Sequence, residues 1–302
     1  MIEYQGKFAG AVVRGEKLLF MQAEAGVESM RILDYGAIDL TDLPETSQRL
    51  YSCKIIYGIN HNQYSTRTLH TINNDKTVDR DQMLWEFSRS YTEPPDNYYF
   101  SFIKLRGNNG TGAVETFGVK RRAFSHLGAL FDKGGLVLHQ LMFEPEVLCQ
   151  MTRKLVTERR SAILFIEKDQ AHLQVYLERQ LVAVRSLLSI DAGNASGRRK
   201  LVEEIGVILL GVPADRVRQR DLELILIGAA PSSDLAAQLA AMLPYDIHMR
   251  EVTLSAFAVN TPDAFTDEFG RYFLPFSLAY LYYRDQVCES SPEINGVSSS
   301  RA

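Results

Sequence analysis

Residues 161–188, SAILFIEKDQAHLQVYLERQLVAVRSLL, read as three short strands folded back and forth with almost no linker. The first turn of this meander holds Glu167, Lys168, Asp169 and Gln170, four polar residues and no glycine. A polar turn, DAGNASG, follows, and Gly197–Leu210 then reads as a helix with Leu201, Ile205, Ile208 and Leu209 on one face, ended by Gly211 and Pro213. Leu222–Ile227 is a continuous apolar run, the mark of a strand buried on both faces. Ser232 or Ser233 caps a helix that places Leu235, Leu239 and Leu243 inside, Ile247–Leu254 gives another strand, and Pro275 opens a last helix. Its aromatic residues and those leading into it (Phe269, Tyr272, Phe273, Phe276, Tyr280, Tyr283) read as buried. Beyond Val287 the tail has the composition of disorder.

The first half has the same element order. Phe8–Val13 and Leu18–Gln22 form a hairpin around Arg14-Gly15-Glu16, and Met30–Tyr35 follows as a third strand. Residues 51–105 read as a compact antiparallel unit, with YSCKIIYGI and YSTRTLHTI paired around an Asn-His-Asn-Gln turn. Within it, Asp79 is a candidate N-cap for a helix to Tyr91, with Met83, Leu84, Phe87 and Tyr91 on one face, and NYYFSFIKL closes the unit as a strand. RGNNGTG (106–112) is a turn that resembles a phosphate-cradling loop only by glycine count, since no Lys-Ser/Thr pair follows and a strand, not a helix, comes next. Strand AVETFGVK, a helix over Ala123–Lys133 stopped by Gly134-Gly135, strand LVLHQLMF and a helix opened by Pro145 complete the half. Meander followed by alternating strand and helix, twice over, is an internal duplication at domain scale.

Composition bounds the function classes. The chain has 302 residues, enough for two domains, and at 46% apolar and 23% charged it is globular. Its net charge of −4, with no basic block, does not imply a nucleic-acid surface. No apolar run reaches the ~20 residues of a membrane span, and the first residues lack signal-peptide architecture, so the expectation is a soluble cytoplasmic protein. Cys53, Cys149 and Cys288 are scattered, without metal-ligand spacing, and the six histidines are dispersed.

This α/β layout resembles the duplicated actin-like, ribonuclease-H-like ATPase fold of actin, the Hsp70 chaperones and sugar kinases. DRDQMLWEFSRSYTEPPDNYYFSFIKL (79–105), with Trp85 and Glu86, is similar to a helix, proline turn and strand of the PilM type IV pilus-assembly family and its type II secretion L-protein (GspL) relatives. VKRRAFSHLGALFDKGGLVLHQLMFEPEVL (119–148), ending in a Glu-Pro step, and LELILIGAAPSSDLAAQLAAMLPYDI follow in the family's order. The resemblance covers most of residues 5–285. It implies a first actin-like domain at 1–158 carrying an inserted lobe at about 51–105, a second at 159–287, and a disordered tail at 288–302.

A nucleotide site in this fold requires glycine-containing hairpin turns for close phosphate approach and acidic residues for Mg²⁺. The first hairpin keeps Gly10 and Gly15 but has no Asp or Glu between Tyr4 and Gly15. The second offers Asp169 but no glycine. Gly228 stands where the resemblance places the purine-side glycine turn, followed by Ala229 and Ala230. The expectation is therefore a degenerate nucleotide cleft (Gly10, Gly15, Asp169, Gly228), no resident cofactor and no metal. The resemblance implies a non-catalytic cytoplasmic scaffold that receives the cytoplasmic tail of an inner-membrane pilus or secretion partner and is recruited to that membrane. Arg67, Trp85 and Glu86 are the candidate partner-binding residues, although a tryptophan is more often a core anchor. Alternatives from other classes are an active ATP- and Mg²⁺-dependent ATPase or small-molecule kinase of the same fold, and an independent ligand-binding domain.

Overall fold

The structure, a computed structural model, describes residues 6–26, 29–71, 80–106, 112–167, 170–188, 195–211, 221–228, 233–257 and 259–288. In chain order the strands are β1 (Lys7–Arg14), β2 (Lys17–Ala25), β3 (Met30–Asp39), β4 (Lys54–Ile59), β5 (Ser65–Thr71), β6 (Tyr98–Arg106), β7 (Gly112–Lys120), β8 (Val137–Phe143), β9 (Arg160–Ile166), β10 (Gln170–Leu177), β11 (Gln180–Leu188), β12 (Asp221–Gly228), β13 (Asp246–Glu251) and β14 (Val259–Asn260). The helices are α1 (Leu43–Thr46), α2 (Arg80–Ser90), α3 (Ser125–Lys133), α4 (Glu144–Thr152), α5 (Ala195–Gly211), α6 (Ser233–Met242), α7 (Asp263–Glu268) and α8 (Phe273–Cys288). Asp79, Asp169, Ser232, the turn at 107–111 and the tail at 289–302 lie outside the described residues.

Two compact units emerge, one from described residues within 1–63, 122–151 and 253–302, the other within 64–121 and 152–252. In the first unit, a six-stranded sheet runs β14-β3-β2-β1-β4-β8. Strands β1, β2 and β3 form the antiparallel meander, and β4 joins β1 in parallel, as β8 joins β4. Gly15, at φ +60°, makes the β1–β2 turn. Helix α8 is apolar nearly all round from Phe273 to Tyr283, as an enclosed stretch of helix must be, and polar only in its last turn. Phe273, Leu274, Phe276, Leu278 and Ala279 are completely buried, and each large side chain contributes about 1.5–3 kcal/mol by burial. The aromatic approach to α8 forms its own cluster, with Phe257, Phe269 and Tyr280 around Phe276 at centroid distances of 5.2–5.6 Å.

The second unit repeats the topology. Its five-stranded sheet runs β11-β10-β9-β12-β13, the same order as β3-β2-β1-β4-β8. The meander β9–β11 is antiparallel, and β12 joins β9 in parallel. One face is apolar: Ala171, Leu173 and Val175 of β10 pack with Leu201, Ile205 and Leu209 of α5 and Leu235 and Leu239 of α6. The alternate positions of β10 on the other face, Gln170, His172 and Gln174, are polar yet buried. They are bonded locally: the Thr152 and Tyr176 hydroxyls both donate to the side-chain Oε1 of Gln174, at 2.9 and 3.0 Å.

A separate three-stranded antiparallel sheet, β5-β7-β6, forms the lobe. Phe87 of α2 is fully buried against it, stacked on Tyr91 at 3.8 Å and meeting Tyr98 and Phe100 at 5.3 and 5.2 Å. Gly118 of β7 leaves room for the Phe87 ring, which a Cβ there would approach to 2.7 Å.

The lobe differs from its sequence-based bounds of 51–105. Residues 54–59 do not pair with β5; as β4 they lie between β1 and β8 in the first sheet. The reason is legible in KIIYGI: Ile55, Ile56, Tyr57 and Ile59 are all completely buried, which only a strand covered on both faces satisfies. AVETFGVK, as β7, is instead the lobe's central strand, so the lobe extends to Lys120. The chain also leaves the second unit before residue 287: Thr253 onward, including β14 and α8, belongs with the first sheet.

Candidate functional site

In open α/β sheets, ligands collect at the carboxyl ends of the parallel strands. In the first unit those ends belong to β1, β4 and β8, and they bring Arg14, Asn60 and Glu144 to one edge. The Arg14 guanidinium donates from Nη1 to the Glu144 carboxylate at 2.8 Å and to the Val13 carbonyl at 3.0 Å. Glu144 is completely buried and Arg14 is 14% exposed. Asn60 Nδ2 donates to the Val13 carbonyl at 3.4 Å, and its backbone N–H donates to Gln63 Oε1 at 2.9 Å. Gln63 also bonds the Tyr57 hydroxyl. Burial, chiefly, pushes the Tyr57 hydroxyl up to about 12, with the Glu144 charge raising it and Arg14 opposing.

Glu144 is the candidate-site residue that the sequence alone does not point to. The two hairpins are where the sequence points for a carboxylate, with Asp169 on the second and none on the first, whereas the structure delivers one to the first unit from the distant Glu-Pro step that ends β8 and opens α4. A quoted motif carried the signal, but only the parallel β1-β4-β8 arrangement shows where it lands.

Gly10 has a local explanation. A Cβ at this position would lie 1.9 Å from the Pro275 carbonyl oxygen and 2.9 Å from the Ala279 nitrogen, so the bare strand lets the α8 backbone rest on β1. Gly58 on β4 enlarges the same seat, since a Cβ there would meet Leu278 at 3.1 Å. Gly15 serves its hairpin turn and faces open space.

At the corresponding edge of the second unit, the β9–β10 turn closes on itself. Glu167 donates its backbone N–H to the Gln170 carbonyl at 2.9 Å, and the Gln170 amide donates to the Glu167 carboxylate. Gly228 ends β12 at φ +117°, and a Cβ there would lie 2.0 Å from the Ile166 carbonyl oxygen. Close packing of the two strand ends thus requires this glycine. Among the described residues, no group of three or more His, Cys, Asp or Glu side chains is arranged to hold a metal.

On the lobe, Arg67 is exposed on the edge strand β5, which hydrogen-bonds only β7 among the described residues. Trp85 overturns the core-anchor expectation: it is 57% exposed, with the Arg89 guanidinium 4.7 Å from its ring centre. Phe87, two residues on, takes the core position that the helix period leaves for an aromatic residue. Glu86 is half-buried on the same helix. The opposite face of β5 is polar, where Thr66 and Thr68 donate to the buried Glu115 carboxylate at 2.5 and 2.6 Å, with Arg185 of β11 at 3.7 Å. Tyr64, Ser186 and His172 Nδ1 form a second polar chain, with links of 3.2 and 2.9 Å.

The first unit also contains an open cleft of about 340 Å³. Val13, Leu40, Leu127 and Leu130 wall it, the Tyr57–Gln63 pair lines it from the sheet side, and Thr41 and His126 add polar atoms. Apolar walls with a few placed polar groups are the usual make-up of a recognition pocket.

No protein-family model matches the chain, and neither does any curated protein. Among solved structures, a PilM-PilN type IV pilus biogenesis complex matches with a TM-score of 0.67 at 13% identity, over 91% of this chain and 98% of that one. A Bacteroides thetaiotaomicron protein with an actin-like ATPase fold matches with a TM-score of 0.55 at 13% identity, over 83% and 94% of the two chains. The two duplicated sheets and these likenesses agree: this chain has the actin-like fold, of the kind seen in PilM.

Proposed function

We propose that the chain is a non-catalytic scaffold of a type IV pilus or type II secretion-like assembly, binding the cytoplasmic tail of an inner-membrane partner as an extended peptide. The observation that carries this reading is the open cleft beside α3, apolar in its walls and amide-lined on the sheet side, in a fold like that of PilM. A leucine or similar side chain suits Leu127 and Leu130, while the partly exposed Gln63 amide, held by Tyr57, faces the cleft from the sheet side. We assign Arg67, Trp85 and Glu86 to partner contact as well: an exposed tryptophan held against an arginine has the composition of an interface anchor. Among the described residues, no helix is long and apolar enough to cross a membrane, so membrane recruitment would come through the partner.

The test is a calorimetric titration with a synthetic peptide of the cytoplasmic tail of a pilus inner-membrane protein from the same organism. Binding is expected in the micromolar range, and Leu127→Arg, which places a charge in the apolar wall, is expected to weaken it at least ~100-fold. Unchanged binding by Leu127→Arg would move the site elsewhere. No binding to the wild-type protein would overturn the scaffold reading.

A further inference from the structure

We propose that Arg14 is a built-in counter-cation, its guanidinium occupying the place on Glu144 at which a divalent cation brought by a ligand would otherwise sit. The carboxyl ends of β1, β4 and β8 are the edge where an open α/β sheet presents its ligand groups. Glu144 is the carboxylate that the structure brings to this edge from α4, and hard oxygens of this kind are what magnesium takes. Its Oε1 is engaged by Arg14 at 2.8 Å, with the carboxylate completely buried and the guanidinium largely so. An arginine cannot shed its charge at any physiological pH, so this cation is permanent, whereas a metal would come and go.

The surroundings are built around the pair. The Val13 carbonyl accepts from both Arg14 and Asn60, fixing the hairpin end to the end of β4. Even the Tyr57 hydroxyl registers both charges, with opposite effects. A magnesium–nucleotide therefore does not fit this edge: its cation would have to displace a guanidinium already paired and desolvated. The edge is neutralised from within, and the first unit needs no ligand to complete it. This inference concerns the first unit alone and stands apart from the partner reading, which the peptide titration tests separately.

Thermal unfolding of Arg14→Met, Glu144→Gln and the double variant, with and without magnesium and ATP, tests it. Arg14→Met leaves a buried carboxylate without its cation and is expected to lower the midpoint by about 10 °C. The double variant leaves no buried charge there and is expected to recover most of that loss. The midpoint of the wild-type protein is expected not to move with magnesium–ATP, whereas that of Arg14→Ala, which vacates the place beside Glu144, is expected to rise with magnesium alone. If Arg14→Met does not fold, the double variant and Arg14→Lys, which keeps the charge, are both expected to fold and preserve the comparison. A double variant no more stable than Arg14→Met would show that the guanidinium matters only as packing. That result, a magnesium-insensitive Arg14→Ala, or a wild-type midpoint raised by magnesium–ATP would overturn the proposal.

Discussion

Replacing Gly10 by valine is expected to destabilise the first unit by about 3 kcal/mol or more, in the absence of any nucleotide. A Cβ at this position would lie 1.9 Å from the Pro275 carbonyl oxygen and 2.9 Å from Leu278 Cβ, so backbone as well as side chains would have to move. Helix α8 cannot retreat cheaply, because Phe273, Leu274, Phe276 and Leu278 are completely buried. Urea unfolding of Gly10→Val beside Gly15→Asn separates two roles for these glycines. Gly15, at φ +60° with open space around it, should accept asparagine almost without cost. If Gly10→Val were as stable as the wild-type protein, the packing explanation of this glycine would fail, and a role in ligand approach would return.

Phe87→Ala is expected to remove about 3–5 kcal/mol, and to do so locally. Its ring lies in the aromatic stack with Tyr91, Tyr98 and Phe100 that joins α2 to the lobe sheet. This sheet has its own strand pairing and, among the described residues, shares no ladder with either large sheet. Hydrogen exchange should therefore accelerate in β5, β6 and β7 while β4 and β9 keep their protection. Uniform loss of protection across all three sheets would show that the lobe is not an independent folding element.

Much of the fold was legible because the duplication repeats a pattern of elements, and patterns survive where identities do not. Gly197–Leu210 and Leu222–Ile227 announced their structures through period and continuity, and α5 and β12 follow them closely. The sequence misled where neighbours in the chain are not neighbours in the sheet. Residues 51–59 sit one short turn from β5, which invited a hairpin, yet their two-faced burial placed them in the parallel centre of the first sheet. The candidate site shows the same limit. Gly10, Gly15 and Gly228 read from the sequence as remnants of a nucleotide cleft, but a sequence cannot distinguish a glycine cleared for a ligand from one cleared for the chain itself. Pro275, 265 positions away, and Ile166 supply the reasons for two of them. Arg14 and Glu144, 130 residues apart, were each visible and meaningless until the β1-β4-β8 edge joined them.

This actin-like fold is expected to bind no nucleotide with the affinity of an intact site. Isothermal titration of the purified chain with ATP and magnesium tests that directly. Phosphate oxygens need backbone N–H groups at about 2.7–3.2 Å, and the loss of two charge-assisted contacts weakens binding by roughly two to four powers of ten. The result expected here is no saturable heat at micromolar ATP, with or without magnesium. A dissociation constant at or below about 10 μM, equivalent to about 7 kcal/mol of binding, would contradict the closed edge at Arg14 and Glu144 and make an ATPase or kinase the leading reading.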